Sequence, residues 1–478
     1  MSQKQVKRII ALFLAALLLT GCGAAPAEES TPPETTQSTE AAEAAPRYQV
    51  EWAKDAVIYE VNVRQYTPEG TFNAFAENLQ TLKDMGVNCL WFMPIHPISE
   101  TKRSGTLGSY YSITDYREVN PEFGTAEDFK ALVDKAHEMG FTVMLDWVAN
   151  HTGWDCSWIK DHPDWYTKNE NGQITDPVGM GWPDVADLNY DNKELWAEMI
   201  DCMKFWITEY DVDGFRCDYA NGVPTEFWEE ARKELEAVKP MLMLAEDNTD
   251  KGLLEYAFDM NYNWELYDLL ISIAHDGKSA NLIRHYLPEN YPEGSYRLNF
   301  LDNHDKNSWE STIMSAMTAE ALPSLWSLIY TIPGTPLIYT GDEIGLDHNI
   351  AFMERDPIDW ESSQVDYRPL LAELAAIRSE NPALHSGNYG GVIQYNELGK
   401  KTVFCFTREV DGNSITCLFN LTKRENTVDV ADLFDGAETV LLHGQGTEVL
   451  DMEDYPISED ALEGEVTLQP WEFWIVLN

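Results

Sequence analysis

Positive charge is scarce in this chain. Its 478 residues include 33 Lys and Arg against 81 Asp and Glu, a formal net charge of −48. Nucleic acids are held by clustered Lys and Arg, so DNA and RNA are excluded as partners. Polyanionic substrates and anionic lipid surfaces are disfavoured for the same reason, and the balance suits a neutral ligand. Cysteine is sparse too: seven residues, with no Cys-x-x-Cys pair and no Cys/His metal spacing. Cys405 and Cys417 flank a turn signal at Asp411-Gly412, leaving a bridge or two free buried thiols as alternatives. The apolar run at residues 9–19 is too short to span a bilayer.

That run does have the length of a signal-peptide core, and Lys4, Lys7 and Arg8 precede it. It ends in "LTGC", which resembles a bacterial lipoprotein signal; residues 1–21 would then be removed and Cys22 lipidated. The alternative is an ordinary secretion signal. Residues 22–46 are rich in Pro, Thr, Ala and Glu, have no basic residue, and read as a disordered acidic linker. The expected location is therefore the bacterial cell envelope or surface, with the protein exported and lipid-anchored.

Hydrophobic residues make up 44% of the chain, enough for a large core. Sixteen Trp and 22 Tyr fill much of it, and a few would line a groove for ring-shaped ligands. From residue 47 to 385, eight short apolar runs alternate with helical patterns. The runs are 56–61, 88–95, 142–148, 213–218, 242–246, 257–262, 296–303 and 335–341. Helices are predicted over 73–85, 126–139, 193–210 and 225–238, with Gly86 and Gly140 as C-caps and a Thr125–Asp128 capping box. Eight strand–helix units predict an α/β fold, a (β/α)8 TIM barrel. A long stretch after the third strand, 151–191, predicts an inserted loop domain. Residues 386–478 show strand patterns and turns, predicting a C-terminal all-β sandwich domain.

The reactive face of such a barrel lies at the carboxyl ends of its strands. Four runs end in polar residues. "LDWVANH" brings Asp146, Asn150 and His151. "GFRCD" sets Arg216 and Asp218 two apart, so that both point into the barrel mouth. "LAED" ends on Glu246, and "FLDNHD" on His304 and Asp305. One strand-end carboxylate is often a cap or a salt bridge. Three on one rim, Asp218, Glu246 and Asp305, repel each other, a cost that points to function. Two carboxylates about 5–5.5 Å apart across a sugar would make a retaining glycosidase. Asp218 would be the nucleophile, kept ionised by Arg216. Glu246 would be the acid/base, its pKa raised by neighbouring negative charge.

These segments resemble the alpha-amylase superfamily of glycoside hydrolases. "DWVANH", "GFRCD", "LAED" and "DNHD" are similar to its four best-known motifs, and "VADLNY", "GTPLIYTGDE" and "NCLWFMPI" to three more. The resemblance implies Asp218 as nucleophile, Glu246 as acid/base and Asp305 as third carboxylate. It also implies sugar binding by Arg216, His151 and His304, and stacking by Tyr111, with neighbouring Tyr110 as the alternative. The implied activity is cleavage of α-1,4-glucosidic bonds in starch-derived maltooligosaccharides, with no cofactor needed for the chemistry. A 4-α-glucanotransferase, or a neopullulanase or cyclomaltodextrinase, would use the same residues. A non-catalytic glucan-capturing lipoprotein is a third reading, against which the intact acids weigh.

Three features depart from the family or leave its pattern open. Ser112 stands where many relatives have an aspartate, which disfavours a strict exo-glucosidase. Asn221 and Gly222 stand where many have Lys-His, so sugar contacts on the leaving side, including those of Asn221, are altered. Asn150, Asp187 and the Gly222 carbonyl match a structural calcium site of some relatives; the alternative is a simple tie between loop and barrel.

Overall fold

Each of the eight apolar runs contains a strand with almost every residue buried, as parallel strands covered by helices must be. The structure is a computed structural model that describes residues 50–478 apart from 288–290, 364, 432, 435–436, 438 and 451–463. The signal segment, Cys22 and the acidic linker lie outside the described residues.

The barrel strands are β1 (Ile58–Val61), β2 (Cys89–Phe92) and β3 (Thr142–Trp147), then, after a short ribbon of β4 (His151–Gly153) and β5 (Val185–Asp187), β6 (Gly214–Cys217), β7 (Leu242–Ala245), β8 (Met260–Tyr262), β9 (Tyr296–Phe300) and β10 (Thr335–Tyr339). They close in the order β1-β10-β9-β8-β7-β6-β3-β2. Every neighbouring pair is parallel. The strand ends that carry Asp146, Asp218, Glu246 and Asp305 therefore open onto one rim.

Helix ends follow the local chemistry. The helix Ala126–Glu138 starts at a capping box in which Thr125 and Asp128 bond each other's backbone N–H, at 2.9 and 3.2 Å. Gly86 and Gly140 leave their helices at φ +76° and +84°. The single helix expected over 73–85 is two, Phe72–Ala76 and Leu79–Asp84. The break falls at Asn78, whose side-chain amide donates to the Ala74 carbonyl at 3.0 Å in place of a continuing turn.

The long stretch after β3 is organised by the β4–β5 ribbon, which pairs His151 with Asp187. Beyond the barrel follow β11 (Val392–Tyr395), β12 (Val403–Val410), β13 (Asn413–Asn420), β14 (Asn426–Asp429), β15 (Thr439–Gln445), β16 (Glu448–Leu450), β17 (Glu465–Leu468) and β18 (Phe473–Leu477). Six form an antiparallel sheet in the order β11-β12-β13-β18-β15-β16, while β14 and β17 form a two-stranded layer. The period of two decides what each sheet face covers. Phe404, Phe406, Ile415, Cys417, Phe419, Phe473 and Ile475 join the barrel's core. The residues between them, among them Val403, Cys405, Leu418 and Trp474, pack with Val428 and Leu468 of the ribbon. Cys405 and Cys417 thus occupy opposite faces of the sheet. Both are free and buried, which settles the bridge against itself. The β12–β13 turn has Asp411 and Gly412 at φ +49° and +86°, as a tight hairpin needs.

Candidate active site

Arg216 is the hub of the rim. It is fully buried at the end of β6, opposite Asp146 of β3 in the parallel register. Its Nη1 donates to Asp146 Oδ1 at 2.9 Å and Oδ2 at 3.2 Å, and to Asp218 Oδ1 at 3.0 Å. Its Nε donates to the Tyr262 hydroxyl at 3.1 Å. Its Nη2 stands 3.0 Å from Glu246 Oε2, an ion pair without hydrogen-bond alignment. One guanidinium therefore faces three carboxylates. It sits behind them, buried and outside the cleft lining, in contact with the acids it holds.

The cleft, about 280 Å³, is lined by Tyr111, His151, Asp218, Glu246, His304 and Asp305, together with Met180, Trp182, Tyr219, Trp309 and Phe352. Tyr111 is the cleft tyrosine; Tyr110 is a core residue bonded through its hydroxyl to Asn62 Oδ1 at 2.9 Å. The Tyr111 ring stacks on His304 at 5.5 Å, and its hydroxyl lies 2.9 Å from His304 Nε2 and donates to Asp146 Oδ2 at 3.1 Å. His304 Nδ1 meets Glu60 of β1, and Asp305 Oδ2 is 3.5 Å from Nε2. Ser112 faces away from the cleft, its hydroxyl donating to the Asp184 carbonyl at 3.0 Å.

Asn221 is exposed and outside this lining. The short 3-10 turn Ala220–Gly222 turns it outward, and Tyr219 takes the place beside the acids. Of the three residues matched to calcium, Asn150 and Gly222 meet closely: a Cβ on Gly222 would lie 2.6 Å from Asn150 Oδ1. Asp187 lies opposite His151 in the ribbon, its carboxyl raised by burial and by the Asp176 charge, against a Thr167 hydrogen bond. The donors are all oxygens, as calcium prefers, and a cation would relieve that desolvated carboxylate. Among the described residues no three His, Cys, Asp or Glu side chains gather as a metal cluster.

Burial raises the Asp218 carboxyl to about 6; Arg216 opposes this, while Asp146 and Asp305 add to it. Burial raises Glu246 further, to about 8, with Asp218 and Asp305 adding and Arg216 opposing. Neighbouring charge alone was expected to raise Glu246, and desolvation is the larger cause. His304 is raised as well, but by charge rather than by burial. Burial would lower it, but Asp305 and Glu60 outweigh burial and lift it to about 9. A charged His304 can donate at both nitrogens, to Glu60 and to the Tyr111 hydroxyl, which passes its own proton to Asp146. His151, without such partners, is lowered to about 4 by burial.

Sequence reasoning noted Asp146 without giving it a role and missed Glu60, Tyr262, Trp182 and Tyr219. Glu60 had a signal: a lone acid inside the apolar strand "IYEV". Trp182 and Tyr219 had none, because their meeting depends on how the long loop folds back.

With this geometry in place, comparison with known proteins is direct. The family described as alpha amylase, catalytic domain, matches residues 33–176 and 178–368. Alpha-amylase 3 of Dictyoglomus thermophilum is 30% identical over 471 residues, covering 84% of this chain and 91% of that protein. Neopullulanase 2 of Thermoactinomyces vulgaris is 26% identical over 487 residues, covering 90% and 78%. The crystal structure of an alpha-amylase from Lactobacillus plantarum superimposes with a TM-score of 0.77 at 32% identity, covering 89% of this chain and 99% of that one. The chain belongs to the alpha-amylase family and is a glycoside hydrolase.

Proposed function

We propose that the protein hydrolyses α-1,4-glucosidic bonds of starch-derived maltooligosaccharides with retention of configuration. The observation that carries this is the pair of acids on one guanidinium, Asp218 at about 6 and Glu246 at about 8. Near pH 7 one is ionised and the other protonated, as a nucleophile and a general acid must be. The retaining scheme also needs the two to be near neighbours, about 5–5.5 Å apart. The Asp218 carboxylate attacks the anomeric carbon while Glu246 gives its proton to the departing glycosidic oxygen. A covalent glucosyl ester forms and the leaving chain departs with that proton. Glu246, now ionised, takes a proton from water. The resulting hydroxide opens the ester and frees Asp218. Asp305 and His304 hold hydroxyls of the bound sugar, and Tyr111 gives it a flat face.

Proton NMR of fresh product from maltoheptaose tests the scheme. The α anomer is expected, and a β product would rule out the double displacement. A specific observation favours a second reading within the family. Tyr219 lies beside Glu246 in the cleft, and a relative matched over 78% of its own length is named a neopullulanase. Transfer to a sugar, or action on pullulan and cyclodextrin, follows from the same acids. The product profile on maltoheptaose, pullulan and cyclodextrin decides between hydrolysis and these.

The same reading includes two further elements. Asn150, Asp187 and the Gly222 carbonyl would hold a structural calcium that ties the loop to the barrel; a chelator should then lower the melting temperature, and an unchanged melt would remove the ion. Export and lipid anchoring through Cys22 would place the enzyme at the cell envelope. Labelled fatty acid should enter the wild type and not Cys22→Ser; label in neither would remove the anchor.

A further inference from the structure

Tyr219 directly follows the nucleophile and sits in the left-handed region, φ +41° and ψ +52°, which a bulky residue seldom adopts. Two contacts go with that conformation. The Tyr219 N–H donates to Glu246 Oε2 at 2.7 Å. Its ring is held close against Gly222, where an added Cβ would stand 2.4 Å from ring atoms Cδ1 and Cε1. No side chain fits at 222 while the ring stays, so the departure from Lys-His there is the counterpart of this tyrosine. The ring's other neighbours are Trp182, edge-on at 5.5 Å, and Met180, whose sulfur is 3.7 Å from the hydroxyl. All three line the cleft beside Glu246.

We propose that Tyr219, backed by Trp182, is the platform on which the leaving glucose unit stacks, and that its N–H couples this stacking to the general acid. The inference rests on the retaining-glycosidase reading above. An aromatic face suits the apolar face of a pyranose. Oε2 of Glu246 is taken up by the Tyr219 N–H and faced by the Arg216 cation, so the transferable proton resides on Oε1. Moving the ring therefore disturbs two things at once: the surface under the departing sugar and the oxygen that must stay unprotonated. Binding energy on this side is used in the transition state of glycosidic cleavage, where the leaving chain is held in line with its proton donor.

Maltotetraose and α-maltosyl fluoride separate the roles. Fluoride leaves without a sugar on this side and without a proton from Glu246. Tyr219→Ala should lower kcat/KM on maltotetraose by about 30-fold, the scale of one buried aromatic face. The loss on the fluoride should be roughly tenfold smaller. Tyr219→Phe should restore most of the loss, because the ring and the N–H remain. Gly222→Ala should weaken maltotetraose cleavage by displacing the ring, and should add little once Tyr219→Ala has removed it. Equal losses on both substrates, or independent multiplication of the Tyr219 and Gly222 effects, would overturn the proposal. Wild-type inactivity on both substrates would instead overturn the glycosidase reading, and this one with it.

Discussion

Buried arginines do opposite work at two places in this molecule. At the cleft, Arg216 is fully buried yet faces Asp146, Asp218 and Glu246, and surrounding charge, that of Asp146 and Glu246 first, outweighs burial and raises its pKa. At the seam between barrel and C-terminal sheet, Arg378 and Arg408 are equally out of water. There burial prevails and pushes them down, to about 10 and about 9. Arg378 donates to the carbonyls of Tyr330, Gly334 and Leu384 and to the Ser386 hydroxyl. Arg408 donates to the carbonyls of Thr331, Leu384, His385 and Gly391. Tyr330 and Thr331 end the helix Leu322–Thr331, whose last carbonyls lack helical partners and favour positive charge. The seam arginines complete the backbone of two packed layers. The cleft arginine leaves backbone alone and sets the protonation of other side chains.

The contrast predicts which replacements remove activity and which remove stability. The largest effect is expected at the cleft. Asp218→Asn should lower kcat/KM on maltooligosaccharides by about 10⁴-fold or more, the scale for deleting a nucleophile, with an unchanged circular dichroism spectrum. A near-normal rate would break the assignment. At the seam, Arg408→Met should leave several buried carbonyls unsatisfied and lower stability by about 3 kcal/mol. Turnover per folded molecule at 25 °C should stay at the wild-type value. A thermal melt paired with an active-site titration checks both halves, and an unmoved melting temperature would show that the Arg408 hydrogen bonds do not hold the seam.

The two regions also differed in how far the sequence exposed them. Barrel strands were legible because a strand buried on both faces is a short unbroken apolar run, and the site acids stand where those runs stop. Asp218, Glu246 and Asp305 therefore announced themselves by position. Arg378 did not: in "AAIRSE" it reads as a charge on the solvent face of a helix. Apart from the Ser386 hydroxyl, its partners are main-chain carbonyls 6 to 48 residues away, which carry no side-chain signature. Tyr219 was hidden for a related reason. Whether its ring or the side chain at 221 enters the cleft depends on a left-handed backbone angle and on a loop that returns from residue 182, and neither is written locally.

The pH profile sharpens the cleft half of the comparison. The Asp218 carboxyl must be ionised and is raised to about 6, so kcat/KM should fall as pH drops through that value. Glu246 must carry its proton and is raised to about 8, so kcat/KM should fall as pH rises through that one. The expected profile is a bell with its top near pH 7 and roughly tenfold losses one pH unit outside either limb. On α-maltosyl fluoride, which needs no proton donor, the wild-type alkaline limb should be absent while the acid limb stays. An alkaline limb that persists on the fluoride would assign it to a group other than the general acid.

The smallest expected effect concerns the stability cost of the site's own acids. Glu246 holds its proton more tightly folded, at about 8, than an unfolded glutamate does, near ~4.3. A group raised on folding contributes stability that is complete below the unfolded value and is lost as pH rises through the folded one. The unfolded chain gives up this proton above about pH 4 while the folded one keeps it to about pH 8, so the native state loses stability across that window. Glutamine has the same shape, no charge at any pH, and an oxygen that can still accept the Tyr219 N–H. Glu246→Gln and wild type should melt together near pH 4, and the variant should melt higher at pH 9, by roughly a few degrees. Arg408→Met should melt lower than wild type at both pH values, because the carbonyls it leaves unsatisfied do not titrate. If Glu246→Gln melts lower at pH 9, its carboxylate is a net stabiliser like an ordinary ion-paired acid, and the distinction drawn between cleft and seam fails at its most direct point.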